Sequence, residues 1–215
     1  MTAPSTTRSS RTTRSLLGGG VLAGPLFIIL VVAQEATRAG FDPKRHALSQ
    51  LSTGDLGWLQ IANFIGTGLL FLGCAVGMRR VLTEGRAARW GPRLVGVFGV
   101  ALVWGGVFVT DPVNGYPPGT PEDTVDFTWH GILHGLAPTV AGIAVVAACI
   151  VFARRFAANG ERGWAGYSVA SAAVYLILAF AAFPAGDFRL MLAGGVLAWG
   201  WISVVAAKLP LGRSV

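Results

Sequence analysis

The chain has 215 residues, 53% of them hydrophobic and only 13% charged; soluble domains carry about 25% charged residues, so most soluble classes are excluded. Its 30 glycines follow no Gly-X-Y period, which rules out collagen, and high glycine with high hydrophobicity suits closely packed membrane helices. The net charge of +7 invites a nucleic-acid reading, but the placement of the charges opposes it.

The segment Met1–Arg14, rich in Ser, Thr and Arg, has little to bury and is expected to be a disordered tail. Six apolar stretches follow, each near the ~20 residues that span a bilayer as a helix: Leu16–Ala33, Leu56–Met78, Leu94–Thr110, Phe127–Ala153, Gly163–Gly186 and Leu190–Ala207. None contains Asp, Glu, Lys or Arg. The first has the basic flank of a signal peptide, but its apolar core is longer than a signal core, so it is read as an uncleaved first helix. The expected organisation is a six-helix domain over residues 15–208, with tails at 1–14 and 209–215.

Charges between the spans set an orientation. The side holding both termini and the second and fourth connections carries 13 basic and 2 acidic residues, net +11. The other side carries 4 basic and 8 acidic residues, net −4. The positive-inside rule then places both termini in the cytoplasm of a bacterial cell. The +7 is a topology signal, and nucleic acid is not expected as a partner. The basic connections are expected to be short loops turning at Gly85, Gly91 and Pro92. Gly20/Gly24 and Gly73/Gly77 have the spacing that lets helices approach closely. Cys74 and Cys149, each inside an apolar run, read as buried structural thiols. The tryptophans read as an interfacial belt, with Trp104 packed in mid-span.

The first external connection runs from Gln34 to Asp55. Asp42-Pro43 is a helix start, with a capping carboxylate and proline at the first helical position, and Gly54 is a stop. A short amphipathic helix over residues 43–53 follows, docked by Ala47, Leu48 and Leu51, with His46, Ser49, Gln50 and Thr53 on its other face. Asp55 is expected to cap the second span. The second external connection is stiffened by Asp111-Pro112, Asn114-Gly115 and Pro117-Pro118-Gly119. His130 and His134 open the fourth span four residues apart, on one helix face. Pro138 cannot bond the His134 carbonyl.

All three histidines, with Ser49 and Asp111, therefore gather on the outer side. His-x-x-x-His is a metal-ligand spacing, and ionisable groups at helix ends facing a bundle point to function. Against this stand interfacial histidines bonded to loop backbone, Asp111 as a turn cap and Ser49 as a structural hydroxyl.

The stretches Gly40-Phe41-Asp42-Pro43, His46-Ala-Leu-Ser49 and Gly57-Trp58-Leu-Gln60-Ile-Ala-Asn63-Phe64 resemble the DUF998 family of bacterial multi-spanning membrane proteins. So do Thr110-Asp111-Pro112, Gly119-Thr-Pro121 and His130-Gly-Ile-Leu-His134. The resemblance implies an all-α, six-helix membrane fold and supplies no reaction. In residue types alone, His46, Ser49, Asp111, His130 and His134 are also similar to the metal site of ceramidase- and adiponectin-receptor-type hydrolases, which differ in chain order, spacing and helix number.

Three readings stand open. The first is an outward pocket of His46, Ser49, Asp111, His130 and His134 that binds a lipid headgroup or small amphiphile. The second is a zinc-dependent hydrolase of a lipid or amide, with the metal on His46, His130 and His134, Asp111 activating water and Ser49 positioning it. The third is a transporter or channel, against which no inverted repeat is visible and the spans lack buried charges along a continuous path. Haem is disfavoured, because His130 and His134 share one helix face.

Overall fold

The computed structural model describes residues 11–122 and 127–209. Among the described residues there are six α-helices: α1 Arg11–Thr37, α2 Gly57–Val81, α3 Arg86–Val107, α4 Trp129–Ala158, α5 Arg162–Ala185 and α6 Arg189–Lys208. All six are long and apolar enough to cross a membrane, and among the described residues the fold is all-α. The protein is a multi-pass membrane protein. Each helix packs on its neighbours in the chain, and α6 returns to α1, closing a ring of antiparallel helices.

The surface follows from the solvent. Ile29, Leu69, Val100, Ile143 and Ile177 all point outward and exposed, as hydrocarbon requires, while Gln60 and Ser168 are fully buried. Lipid tails are as apolar as leucine, so association rests on close packing and interior hydrogen bonds. Aromatic rings fill the centre. Phe27 meets Trp199 at 4.2 Å and Phe64 at 5.3 Å, Phe71 meets Phe98 at 5.3 Å, and Phe152 meets Trp201 at 5.6 Å between centroids. Ser203 Oγ donates to the Gly20 carbonyl at 2.9 Å, and Trp201 Nε1 donates to Ser168 Oγ at 3.0 Å. These bonds fasten α6 to α1 and α5.

Several boundaries differ from expectation. Arg11–Arg14 are helical rather than part of a tail; residues 1–10 and 210–215 lie outside the described residues. Gly85 does turn the chain, with φ +82°. Gly91 and Pro92 instead lie inside α3, because Gly91 gives room to the Phe152 ring, 2.8 Å from where a Cβ would stand. The third span ends at Val107, before Thr110. Asp55 does not cap α2: the N-cap is Leu56, with no side-chain bond. Trp199 and Trp201 belong to the core rather than to a belt. Trp104 stands near the end of α3 and donates Nε1–H to the Leu133 carbonyl at 2.8 Å.

The connections α1–α2, α3–α4 and α5–α6 share one face, here the cap face. Phe188 N–H donates to the Lys44 carbonyl at 2.9 Å, tying the last of these to the first. On the opposite, basic face Arg155 Nη1 donates to the Glu84 carbonyl at 2.8 Å. There Lys208 pairs with Glu161 at 2.5 Å and lies over the Trp164 ring at 4.6 Å.

The amphipathic helix expected over residues 43–53 is replaced by a much shorter element. It is a single 3-10 turn, Leu48–Ser52. The Asp42-Pro43 start produces only a turn, in which the His46 and Arg45 amides donate to the Asp42 carbonyl. The His46 ring then takes the Asp42 amide, and Ala47 is extended at φ −66°, ψ 146°, so no longer helix can form. The buried face also differs. His46, Gln50 and Thr53 are buried beside Leu51, whereas Ala47 and Leu48 are only half-buried.

Candidate functional site

Helix ends leave backbone groups without intrahelical partners, and the cap face meets this need with side chains. At the α3–α4 junction, His134 Nδ1 bonds the carbonyls of Gly105 and Phe108 at 3.0 and 2.7 Å. His130 Nδ1 bonds the Val109 carbonyl at 3.0 Å. Two residues of α4 four apart thus satisfy carbonyls at and just beyond the end of α3. In return Asp111, which follows α3, accepts from the Thr128 amide at 3.0 Å and from its hydroxyl at 2.5 Å. Thr128 Oγ1 in turn accepts from the Gly131 amide at 3.2 Å as the N-cap of α4. The negative carboxylate sits against the positive end of the α4 dipole. Gly131 is required there, because a Cβ would stand 1.9 Å from Asp111 Oδ2.

His46 belongs to a different cluster. Its Nδ1 accepts from the Asp42 amide at 2.9 Å, which leaves Nε2–H to donate to the Asn114 carbonyl at 2.9 Å. Gln50 Nε2 donates to the Val113 carbonyl at 3.2 Å. Together they staple the first connection to the second. The grip is firm because Asn114 and Gly115 take φ +55° and +79°, the pair of left-handed residues that a tight reversal of type I′ demands. Phe41, His46 and Tyr116 pack as three rings 5.1–5.3 Å apart. Burial pushes the Tyr116 phenol up, and the nearby Arg38 guanidinium only partly offsets this.

The structure therefore brings Asp111 and His130 together, 3.9 Å apart, and keeps His46 with Asn114 and His134 with the end of α3. Ser49 is half-buried on the 3-10 turn. Zinc does not fit this set: both His46 nitrogens are engaged by backbone, and His134 Nδ1 is spent on two carbonyls. Among the described residues no three His, Cys, Asp or Glu side chains lie close enough to hold an ion. Cys74 and Cys149 are free and buried.

A groove lies elsewhere, between α1 and α2, lined by none of these five residues. Its volume is about 510 Å³, within the range of small-molecule sites. It runs along α1 from Leu26 to Thr37 and along α2 from Leu59 to Leu70, about 16 Å at 1.5 Å per residue. That length is comparable to one leaflet of a hydrocarbon core about 30 Å thick, and the groove lies in the half of the two helices nearer the cap face. Leu26, Leu30 and Leu70 form exposed walls, and Gln34, Asn63 and Thr67 form a buried floor.

The floor is one hydrogen-bonded track. Arg38 Nη2 donates to Gln34 Oε1 at 3.1 Å and to the Leu51 carbonyl at 3.2 Å, and it also reaches the Leu56 carbonyl. Gln34 Nε2 donates to Gln60 Oε1 at 2.8 Å. Asn63 Nδ2 donates to Gln60 Oε1 at 3.3 Å and to the Phe27 carbonyl at 3.2 Å. Thr67 Oγ1 donates to Asn63 Oδ1 at 3.4 Å. Gln60 Nε2, Ser52 Oγ and Arg38 Nε are buried without a partner at this corner. Sequence reasoning singled out none of these as a site. The available signal was Gln60, Asn63 and Thr67 at i, i+3 and i+7, one polar stripe in an apolar span.

No curated protein and no solved structure matches the chain. A family model described as "Protein of unknown function (DUF998)" matches residues 21–208, and with nearly the whole six-helix unit inside that match, the chain belongs to the DUF998 family.

Proposed function

We propose that this protein binds an amphiphile from the membrane leaflet on its cap side, held in the α1–α2 groove. The observation that carries the reading is the make-up of the groove: apolar walls open to hydrocarbon over a buried polar floor. Polar groups at membrane depth are costly and point to function by default. A molecule with one chain and one polar end uses both surfaces. The histidines and Asp111 act at one remove, by fixing the cap and the α3–α4 junction. The charge asymmetry of +11 against −4 supports an orientation with both termini in the bacterial cytoplasm and the groove in the outer leaflet.

Gly66 lines the groove, and a Cβ there meets nothing within 4 Å. Gly66→Leu therefore fills the groove without disturbing the core, and helix propensity favours it by about 1 kcal/mol. Native mass spectrometry of the detergent-released protein with added oleyl alcohol is the test. Retention is expected to fall about tenfold or more in the variant, equivalent to about 1.4 kcal/mol, at a Tm no lower than that of the native protein. Equal retention by both proteins overturns the reading.

A further inference from the structure

The groove floor has a one-sided hydrogen-bonding character. Each side-chain amide nitrogen has two donor hydrogens and each hydroxyl one. Gln34 Nε2 uses its two on Gln60 Oε1 and the Leu30 carbonyl. Asn63 Nδ2 uses its two on Gln60 Oε1 and the Phe27 carbonyl. Thr37 Oγ1 donates to the Ala33 carbonyl at 2.7 Å, and Thr67 Oγ1 donates to Asn63 Oδ1. The donors of the lining are thus spent inside the protein. Gln60, Arg38 and Ser52, which hold the orphan donors, are not among the lining residues. What remains toward the groove is acceptor capacity: lone pairs on Thr37 Oγ1, Thr67 Oγ1, Asn63 Oδ1 and Gln34 Oε1.

We infer that the groove selects an uncharged amphiphile whose polar end donates a hydrogen bond, a membrane alcohol, over carboxylate- or phosphate-headed lipids. The inference rests on the amphiphile reading above. A hydroxyl proton meets a waiting oxygen. An ether of the same shape leaves that oxygen unpaired, and an anion meets lone pairs of like polarity on the lining, with the nearby Arg38 Nη2 already engaged by Gln34 Oε1 and the Leu51 carbonyl.

The test compares oleyl alcohol, oleyl methyl ether and oleate for displacement of a fluorescent oleyl alcohol from the full-length protein in nanodiscs. One donated bond gives the alcohol about a tenfold advantage over the ether, with oleate weaker still. Thr37→Val and Thr67→Val keep side-chain shape and remove one hydroxyl acceptor each, Thr67→Val also releasing the Asn63 Oδ1 lone pair it bonds. At least one is expected to bring the alcohol down to the level of the ether while ether binding stays unchanged, which also reports that the variant is folded. If alcohol and ether bind alike and Gly66→Leu blocks both, the hydroxyl inference is overturned and the amphiphile reading stands. Tighter binding of oleate overturns the inference in favour of a cationic contact. If no probe shows Gly66-sensitive binding, the amphiphile reading falls and the inference with it.

Discussion

Asp111 and Gly131 form a pair in which neither residue makes sense alone. The carboxylate reaches the Thr128 amide and hydroxyl only because position 131 has no Cβ to obstruct it. Gly131→Ala is expected to push the carboxylate out and leave the Thr128 amide without its partner. The cost is about 1–3 kcal/mol, the usual penalty for a half-buried donor left unmet. In an Asp111→Ala background the same change should cost nothing, since the obstruction is gone and alanine favours the helix. Thermal unfolding of the four proteins in one detergent checks this. An equal cost in both backgrounds means that the two residues act independently. The His130/His134 spacing was legible in the sequence; its role was not. Both rings address main-chain carbonyls at or just after the end of α3, and a carbonyl leaves no trace in residue identity.

The cap shows a similar limit at the scale of an element. Asp42-Pro43, Gly54 and the Asn114-Gly115 reversal were readable from local turn chemistry, and a helical element on the cap face was readable with them. Its length and buried face were not, because His46 and Gln50 turn toward Val113 and Asn114, more than sixty residues away. Tyr116 closes this assembly at 2% exposure, and its phenol gives the cap a pH dependence. Burial raises the folded-state pKa above the unfolded value of about 10. The neutral phenol therefore contributes stability that is fully present below about pH 10 and is lost as pH rises through the folded-state pKa. Hydrogen exchange over His46–Thr53 should accelerate more steeply above pH 10 in the native protein than in Tyr116→Phe at matched pH. Tyr116→Phe keeps the ring packing and cannot ionise. Identical profiles would remove the phenol as the cause.

For the molecule as a whole, six spans were legible from hydropathy, and the all-α ring follows from them. The contacts that close the ring were only partly so. Gly20, Gly24 and Gly77 do sit at tight contacts, against Cys74, Trp199 and Leu17. A tight mutual approach of α2 and α3 is made by Gly68 and Gly99, where each added Cβ would stand 2.6–2.8 Å from the carbonyl of the other. In a glycine-rich chain, spacing does not separate such positions from Gly66, which faces open groove. Orientation is the property on which the outer-leaflet reading depends, and the native thiols make it measurable. Cys74 and Cys149 are 0% and 1% exposed, so a membrane-impermeant maleimide meets a silent background. Asp55 on the cap face and Glu84 on the basic face are both exposed, and neither side chain anchors a helix end. Asp55→Cys is expected to label in intact cells, and Glu84→Cys only after permeabilisation, because the +11 face resists translocation. The reverse pattern would invert the protein and move the groove to the inner leaflet. The donor and acceptor character of its floor would be unchanged, but the amphiphile would then come from the cytoplasmic side.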